Sequence, residues 1–174
     1  LLKVVKPRNR RRHRIPGILT VAQTIRLFQE LPESCVAAFA LMAFFGVRPQ
    51  EITSETKERT LRAEDIDIKT RSIKIPEETA KMGNWRNISN LPETAWRWLE
   101  AYMPTEGPIF PYSYATYRRI RKLVSVKIPK DGLRHSMASH GYHELGIETT
   151  VEILGQESGY EAFKRHYKAM VTPD

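Results

Sequence analysis

Residues 131–136 read DGLRHS, and this short segment constrains the fold and function more tightly than any other part of the chain. It opens a helix predicted over residues 132–144, in which Leu133 and Met137 lie four positions apart and share an apolar face. Arg134 stands beside that face, so the helix would hold its guanidinium close to the core. The tripeptide LRH is a weak signal alone, and its meaning depends on the order of other residues along the chain.

A second arginine, Arg48, occurs upstream in the sequence GVRPQE at residues 46–51. It follows residues 35–45, which are apolar nearly all round and predict a helix at the centre of a bundle. Pro49 suits the first position of a helix over 49–58, because its fixed φ is helical and its missing N–H would have no partner there. The start of such a helix favours an anion, and Arg48 would add two parallel donors matched to phosphate oxygens. Glu51 could hold this guanidinium, and an ordinary surface Arg–Glu pair is the alternative.

The segments before the central helix predict another amphipathic helix. Thr20 is a candidate N-cap for a helix over residues 21–31, which Pro32 ends. Its apolar residues recur on one face, at Val21, Ile25, Phe28 and Leu31. Ser34 can cap the central helix, and Gly46 ends it.

Residues 66–90 change in character, since isoleucines alternate with polar residues. This pattern predicts three antiparallel strands, with a turn around residues 82–84. Pro92 begins a helix that carries Trp96, Trp98 and Leu99, and the later helices are predicted over 113–126, 132–144, 147–155 and 159–170. The predicted fold class is therefore mainly α with a small antiparallel β-sheet (α+β).

The basic residues are most concentrated near the start of the chain. The net charge is +8, and residues 6–14 (KPRNRRRHR) supply six positive charges without an acid. Such an arm tracks a phosphate backbone, because each cation near a phosphate releases condensed counterions. We therefore expect double-stranded DNA as the partner, with a solvated linker or a localisation signal as the alternatives. The expected DNA-binding side chains are Lys6, Arg8, Arg10, Arg11, Arg12 and Arg14.

Length and composition set further limits on the chain. The 174 residues predict one domain over 20–174, preceded by a basic arm or linker over 1–19. The first residue is leucine, so we expect a fragment of a longer protein. Cys35 can form no intrachain disulfide and fits a reducing cytoplasm, and the longest apolar run is too short for a bilayer. His140 and His143 lack further ligands nearby in sequence, so no metal site is expected, and no glycine-rich phosphate loop is present.

Two more residues complete a recognisable order. Lys81 precedes the sequence MGNWR, and Tyr167 stands in HYKAMV near the end of the chain. The order Arg48, Lys81, Arg134, Tyr167 resembles the catalytic domain of the tyrosine recombinases, the phage integrase family. The resemblance covers nearly the whole chain, from Thr20 to Tyr167. It implies that family's fold and an N-terminal core-binding domain lying outside this chain. The DNA site stays open, as does the host element, which could be a phage, a transposon or a chromosomal dimer-resolution system.

The resemblance implies a transesterification of DNA. Tyr167 would attack a phosphodiester and form a 3′-phosphotyrosine, while Arg48 and Arg134 stabilise charge in the transition state. Lys81 would protonate the leaving 5′ oxygen. The bond energy stays in the phosphotyrosine link, so no cofactor is expected, and strand exchange would need a homotetramer on cytoplasmic, nucleoid-associated DNA. Tyr160 is a rival nucleophile, although it lies too close to the end of the preceding helix for the usual spacing.

Two positions depart from the family pattern. Asp131 stands where the family usually has histidine, three residues before the second arginine, and Gln156 stands where it usually has histidine or tryptophan. Gln156 can still donate a hydrogen bond to a phosphate oxygen. Asp131 could take a proton from the tyrosine, orient Arg134, or cap the helix that begins at Gly132. Both are included among the expected catalytic residues.

These departures keep two alternatives open. The first is a DNA-binding module descended from a recombinase that has lost catalysis, which a cleavage assay on a suicide substrate would identify. The second is a type IB topoisomerase, which uses the same tyrosine chemistry and would relax DNA without sequence dependence. The integrase-like order of the motifs argues against the topoisomerase.

Overall fold

The computed structural model describes residues 17–56, 59–80, 85–155 and 163 of the chain. Within these residues, seven α-helices, one 3₁₀ turn at Ala63–Asp65 and three short strands follow one another. The helices are α1 (Val21–Glu30), α2 (Glu33–Phe44), α3 (Pro49–Ile52), α4 (Glu93–Tyr102), α5 (Tyr114–Leu123), α6 (Gly132–Glu144) and α7 (Ile147–Leu154). The strands are β1 (Ile66–Asp67), β2 (Ser72–Ile75) and β3 (Arg86–Ile88).

Helix α2 forms the centre of the fold, as its composition predicts. Every side chain from Cys35 to Ala43 is buried. A helix that is apolar on all faces needs a partner on each of them, and both α4 and α6 pack against it. Directly after α2, the ring of Phe45 meets the indole of Trp96 edge-on, with 4.8 Å between their centroids. This central position places the segment that follows α2, with Arg48 in it, next to α6.

Helix α1 begins after Thr20, as predicted. The Thr20 hydroxyl accepts a hydrogen bond from the backbone N–H of Gln23 at 3.2 Å, and the Gln23 side chain accepts from the Thr20 N–H at 2.9 Å. The C-terminal half of the predicted apolar face is buried, whereas Val21 and Ile25 are exposed. The helix therefore packs on the core through its second half only.

The three strands form one antiparallel sheet in the order β1-β2-β3. Ile66 pairs with Ile73, which pairs in turn with Ile88, and all three are buried on one face. Along each strand, the residue next to a buried isoleucine lies on the other, more exposed face, because successive strand residues alternate between faces. The predicted class, mainly α with a small antiparallel sheet, is confirmed.

Several helix bounds differ from the sequence prediction by one to three residues, and the differences at α2 and α3 concern named caps or a longer stretch. Helix α2 begins at Glu33 after Pro32, with no side-chain cap, so Ser34 does not cap it. Helix α3 spans Pro49–Ile52, whereas the sequence suggests 49–58. The carbonyl of Glu51 accepts a hydrogen bond from the N–H of Leu61 at 2.7 Å, so it is not available to continue the helix. That contact comes from a later segment, which local sequence does not reveal.

Residues 17–20 lie against α6. The N–H of Leu19 donates to the Ser136 hydroxyl at 2.7 Å, and Leu19 itself is buried. Gly17 lies against Pro129, where a Cβ would come within 2.6 Å of the proline ring. The segment that follows the predicted arm is thus fixed beside the start of α6. Among the described helices, none has the length and apolar character needed to cross a membrane.

Candidate phosphate-binding site

A surface cavity of about 280 Å³ brings together three of the residues predicted from the sequence. Arg48 reaches it from the start of α3, Arg134 from α6, and Asp131 from the position just before α6. Its walls carry four cationic side chains and one carboxylate, so the potential inside favours an anion. The remaining lining residues are Pro49, Gln50, Tyr114, Tyr117, Arg121, Lys130 and His135.

Arg134 is buried and held from behind by backbone carbonyls. Its Nη1 donates to the carbonyl of Gly46, and its Nη2 donates to the carbonyl of Leu154 at 2.6 Å. The last carbonyls of a helix have no partner within the helix, and Arg134 supplies one to α7. Gly46 has φ 62°, and a Cβ there would come within 2.6 Å of the Leu154 side chain. Glycine therefore lets the loop before Arg48 approach the end of α7, and Arg134 bridges the two segments.

Arg48 is oriented by the buried carboxylate of Glu51. Oε1 of Glu51 accepts from Nη1 of Arg48 at 3.1 Å, and Oε2 accepts from the backbone N–H of Arg48 at 2.8 Å. The same carboxylate accepts two hydrogen bonds from the guanidinium of Arg86, at 2.8 and 2.7 Å. Burial acts to raise the pKa of Glu51, but the hydrogen bonds and charge of Arg86, followed by those of Arg48, outweigh it and lower the pKa to about 2. The Arg48–Glu51 contact suggested by the sequence is present, and it belongs to a buried cluster rather than to the surface.

At the start of α3, two backbone N–H groups already have partners within the protein, those of Arg48 and Glu51. The helix has four residues, so few peptide dipoles are aligned. The N–H of Arg48 donates to Glu51. An anion at this point would therefore depend more on the Arg48 side chain than on the helix itself.

Asp131 does not cap α6 through its side chain. A capping residue has an extended backbone that turns its side chain toward the first N–H groups of the helix. Asp131 is left-handed, with φ 54°, and its side chain makes no capping hydrogen bond. Its carboxylate is exposed and lines the same cavity as Arg48 and Arg134.

Helix α5 contributes two tyrosines that the sequence analysis missed. Tyr114 and Tyr117 both line the cavity, with 6.0 Å between their ring centroids. Burial raises the pKa of Tyr117 to about 12. The charge of Arg121 acts to lower this pKa, and the carboxylate of Asp131 acts to raise it. The hydroxyl of Tyr117 donates to Sδ of Met42 at 3.7 Å, so this phenol is protonated and engaged at neutral pH. The available signal in the sequence is the i, i+3 spacing of the two tyrosines, which places them on one helical face.

A basic surface continues from the cavity along α5. Residues 107–130 contain six Lys or Arg and no Asp or Glu, so the arm is not the only basic region and the rest of the chain is net acidic. A second cavity, of about 430 Å³, lies between α5 and the loop after it. Nη2 of Arg121 donates to the carbonyls of Ile128 and Pro129, at 2.7 and 3.0 Å, which holds this loop against the helix. The exposed cations of this region, here called the α5 basic surface, are Arg118, Arg119, Lys122, Lys127 and Lys130.

Several predicted residues lie outside the described part of the chain. They are Lys81, Gln156, Tyr167, the rival Tyr160 and the arm residues 6–14. The structure describes the two strands that flank the segment with Lys81, since β2 ends at Ile75 and β3 begins at Arg86. It also reaches Gly155, which ends α7 in a left-handed conformation immediately before Gln156.

The Glu51 cluster predicts how stability responds to acid. A pKa lowered from 4.5 to about 2 means that the folded state binds the proton less tightly than the unfolded state. The resulting stabilisation, about 3 kcal/mol, is present above about pH 4.5 and is lost as the pH falls toward about 2. We expect Glu51→Gln to be less stable at neutral pH and to lose less stability than the wild type on acidification. Urea unfolding across this pH range measures both effects, and equal acid sensitivity of the two proteins would contradict the cluster.

Comparison with solved structures places this cavity within a known fold. The crystal structure of XerA recombinase superposes with a TM-score of 0.63 at 19% identity, over 88% of this chain and 60% of that one. The catalytic domain of bacteriophage HP1 integrase gives a TM-score of 0.62 at 21% identity, over 87% of this chain and 86% of that one. The Tn1549 transposon integrase, solved with transposon right end DNA, gives a TM-score of 0.62 at 15% identity, over 92% of this chain and 64% of that one.

The likeness is one of structure and not of sequence. No protein-family model and no curated protein sequence matches the chain. The chain spans less than two thirds of the length of XerA recombinase and of the Tn1549 integrase, and most of the HP1 integrase catalytic domain. The chain therefore has the fold of a tyrosine recombinase catalytic domain, and the cavity lined by Arg48 and Arg134 lies within that fold.

Proposed function

We propose that this chain is the catalytic domain of a tyrosine-type site-specific DNA recombinase or integrase. The observation that carries the proposal is the meeting of Arg48 and Arg134 in one cationic cavity, in a fold shared with integrase catalytic domains. Each guanidinium is held by hydrogen bonds, that of Arg48 to the Glu51 carboxylate and that of Arg134 to two backbone carbonyls. Guanidinium groups match the oxygens of a phosphate in a bidentate manner, which supports a DNA phosphodiester as the substrate.

In the proposed reaction, the phenolate oxygen of Tyr167 attacks the phosphorus of a DNA phosphodiester. The bond from phosphorus to the 5′ oxygen breaks as the bond to tyrosine forms, and Lys81 gives the leaving oxygen a proton. Arg48 and Arg134 stabilise the negative charge that builds on the non-bridging oxygens. Attack by the 5′ hydroxyl of another strand reverses the step and releases Tyr167. The number of phosphodiester bonds is conserved, so the balance needs neither ATP nor a cofactor.

We assign Asp131 as the acceptor of the tyrosine proton and Gln156 as a hydrogen-bond donor to the phosphate. Support for Asp131 comes from its exposed carboxylate, which lines the same cavity as the two arginines and does not cap α6. The neighbouring cations offset its repulsion of a phosphate. Gln156 is supported by its sequence position after Gly155, at the end of the helix whose last carbonyl accepts from Arg134.

The proposed partner is double-stranded DNA, bound in the cytoplasm and exchanged within a homotetramer. The α5 basic surface adjoins the cavity, so cations flank the proposed cleavage point. Gly17, which follows the basic run at residues 6–14, lies against Pro129, and Pro129 stands in sequence between Lys127 and Lys130 of that surface. The arm and the α5 basic surface are therefore proposed to bind the backbone of the same duplex. The Tn1549 integrase has been solved in complex with transposon DNA, which supports DNA as the partner here.

Covalent capture tests the proposed reaction. The chain is mixed with a pool of nicked duplexes of randomised central sequence, in which a nick near the cleavage point lets the short product leave and traps the adduct. Adducts that survive detergent are isolated, their DNA is sequenced, and the linked peptide is identified by mass spectrometry. We expect a 3′-phosphate linkage to Tyr167. A 5′ linkage, or the absence of any adduct while DNA is bound, would overturn the proposal.

A DNA-binding module without cleavage is the second candidate function. Asp131 favours it, because a carboxylate in a phosphate cavity repels the substrate unless a cation neutralises it. The α5 basic surface would bind DNA without any chemistry. Binding without an adduct in the capture experiment identifies this module, whereas relaxation of plasmids of any sequence would indicate a type IB topoisomerase.

The α5 basic surface predicts a defined salt dependence of DNA binding. In the double variant Arg118→Gln, Lys122→Gln, we expect the slope of log K against log salt to fall by roughly 0.9 for each phosphate that the variant no longer neutralises. The control variant Lys69→Gln, Arg97→Gln removes the same charge from exposed positions outside this surface, and its slope should stay close to that of the wild type. Fluorescence anisotropy with a labelled duplex at several salt concentrations measures the slopes.

The same measurement tests the arm. Neutralising the six cations of residues 6–14 should flatten the slope further, because each cation that leaves a phosphate stops releasing counterions. An unchanged slope would show that the arm does not contact the duplex. Equal slopes for the α5 variant and its Lys69/Arg97 control would remove the α5 basic surface from the interface.

A further inference from the structure

Arg86 binds the carboxylate that holds Arg48, which with Arg134 forms the proposed phosphate clamp, and it does not line the cavity itself. It lies at the start of β3, in the segment where the sequence predicts only a strand. Its Nη1 and Nη2 bind the two carboxylate oxygens of Glu51, one each, at 2.8 and 2.7 Å. The Arg48 backbone and guanidinium bind the same two oxygens, at 2.8 and 3.1 Å. Each carboxylate oxygen of Glu51 therefore accepts two hydrogen bonds, one from Arg48 and one from Arg86.

The position of Arg86 joins three segments of the proposed active site. Through Glu51 it contacts the start of α3, which carries Arg48. By its own backbone it begins the strand that follows the segment with Lys81. Its aliphatic chain packs on Gly155 at the end of α7, where an added Cβ would come within 2.6 Å of Cδ. Gly155 also precedes Gln156, so one side chain contacts or adjoins all three segments.

The contact is built for a guanidinium rather than for any cation. Glu51 is fully buried and Arg86 is nearly so, which leaves water little access to the pair. A buried carboxylate needs its charge and its lone pairs satisfied, and the planar fork of arginine does both. A lysine at this position would supply one charge and could not reach both oxygens in the same geometry.

We propose that Arg86 is a positioning residue for DNA cleavage, which acts through Glu51 to hold the Arg48 guanidinium in the cavity. This inference rests on the proposed function of the site. Arg86 itself lines neither of the two basic cavities described above, and both of its Nη atoms are bonded to Glu51, so we assign it no contact with the phosphate. Its effect is on where Arg48 points and on how strongly Glu51 holds it.

Loss of Arg86 should make the clamp sensitive to pH. Among the described residues, the charged groups that face Glu51 are Arg48 from α3 and Arg86 from β3. Without Arg86, burial raises the pKa of Glu51 against weaker opposition from Arg48. A protonated Glu51 no longer balances the Arg48 charge, and the guanidinium is released from its fixed orientation. Cleavage relative to the wild type should then fall as the pH is lowered, because the Glu51 of the wild type, with its pKa lowered to about 2, stays ionised throughout.

The test compares Arg86→Met and Arg86→Lys with the control Arg71→Met. Arg71 also joins two carboxylates, Glu93 and Glu100, each at 2.6 Å, but these lie on α4. In the protein alone, NMR follows the Arg48 side-chain Nε–H signal and the Glu51 carboxyl during a pH titration. With the nicked duplexes, the rate of adduct formation and the affinity for DNA are measured between about pH 5 and pH 8, a range in which buried carboxyls with a raised pKa commonly titrate.

We expect Arg86→Met to disorder the Arg48 signal, to raise the Glu51 titration point and to slow adduct formation on the order of 10²-fold. DNA affinity should change little, and the loss should grow at low pH. The effects of Arg86→Lys on the NMR signals and on cleavage should lie between those of the wild type and of Arg86→Met. If Arg86→Met does not fold, Arg86→Lys alone decides the outcome. The control should keep both NMR signals and the wild-type pH profile.

Two results would overturn the inference. One is an ordered Arg48 signal and an unshifted Glu51 titration in the folded Arg86 variants. The other is a loss of cleavage that is equal in Arg71→Met or constant with pH, because a general loss of stability would act in that way. If the wild type forms no adduct at all, the proposed function fails, while the NMR measurements on the protein alone still decide whether Arg86 positions Arg48.

Discussion

Replacing Tyr167 by phenylalanine is expected to abolish the covalent protein–DNA adduct while DNA binding persists. The change removes one hydroxyl, the only group of this side chain that can form a bond to phosphorus. A phenol with a reference pKa near about 10 is a poor nucleophile at neutral pH, so it needs a base and positive potential close by. In the proposed mechanism, the cavity with Arg48, Arg134 and Asp131 would supply both kinds of group.

Three matched variants test whether another tyrosine carries the reaction. Tyr160→Phe should keep the adduct, and so should Tyr114→Phe, although Tyr114 lines the cavity. Tyr117→Phe should also keep it, because burial raises the pKa of Tyr117 to about 12 and its hydroxyl is directed at a sulfur atom. Mass spectrometry of the trapped peptide identifies the residue directly. An adduct that survives in Tyr167→Phe would show that a different tyrosine is the nucleophile.

The same assay examines the two unusual positions. If Asp131 and Gln156 only weaken an intact mechanism, the double variant Asp131→His, Gln156→His should cleave faster, because two imidazoles restore groups that transfer protons and bind phosphate. The exposed, left-handed position of Asp131 accepts such a change without disturbing a cap. A faster double variant would support the recombinase, and a wild type and double variant that both lack an adduct would favour the DNA-binding module.

Arg48→Ala and Arg134→Ala are each expected to slow adduct formation on the order of 10²–10³-fold, as removal of one transition-state donor does. The effect should appear in the rate of cleavage at saturating DNA, because the charge on the phosphate oxygens is largest in the transition state. Arg134→Lys should rescue little of the loss, since lysine lacks the planar fork. Single-turnover kinetics on a nicked duplex selected by capture measure each rate.

The two arginines need different controls. Arg134 is buried and binds the carbonyls of Gly46 and Leu154, so Arg134→Ala should also destabilise the fold. Urea unfolding of each variant separates this loss from the loss of catalysis. Arg48 is partly exposed, and its removal leaves Glu51 still paired with Arg86, so Arg48→Ala should unfold at close to the wild-type urea concentration. Near-normal cleavage by a folded Arg48→Ala would remove this residue from the clamp.

Local sequence determined much of this fold. The apolar run of α2 specified a buried central helix, because a helix without a polar face must be covered on all sides. Thr20 specified the start of α1 through its own hydroxyl, and the alternating isoleucines specified a small sheet. Arg48 and Arg134 could be singled out because each stands next to a strong local feature, a proline-started helix and an apolar helical face. In each case the physical signal lies within a few residues of the position it predicts.

Tertiary contacts decided the rest. Helix α3 ends early because Leu61 takes the carbonyl of Glu51, and Asp131 fails to cap α6 because its backbone is left-handed. The pairing of Arg86 with Glu51 joins a strand to a helix across a long stretch of sequence. Burial and pairing of a charge depend on segments that meet only in the folded chain, so no local pattern could have revealed that Glu51 is held by two arginines. The sequence by itself singled out the two arginines of the proposed clamp, and only the pairing of Arg86 from β3 with Glu51 of α3 decided how one of them is held.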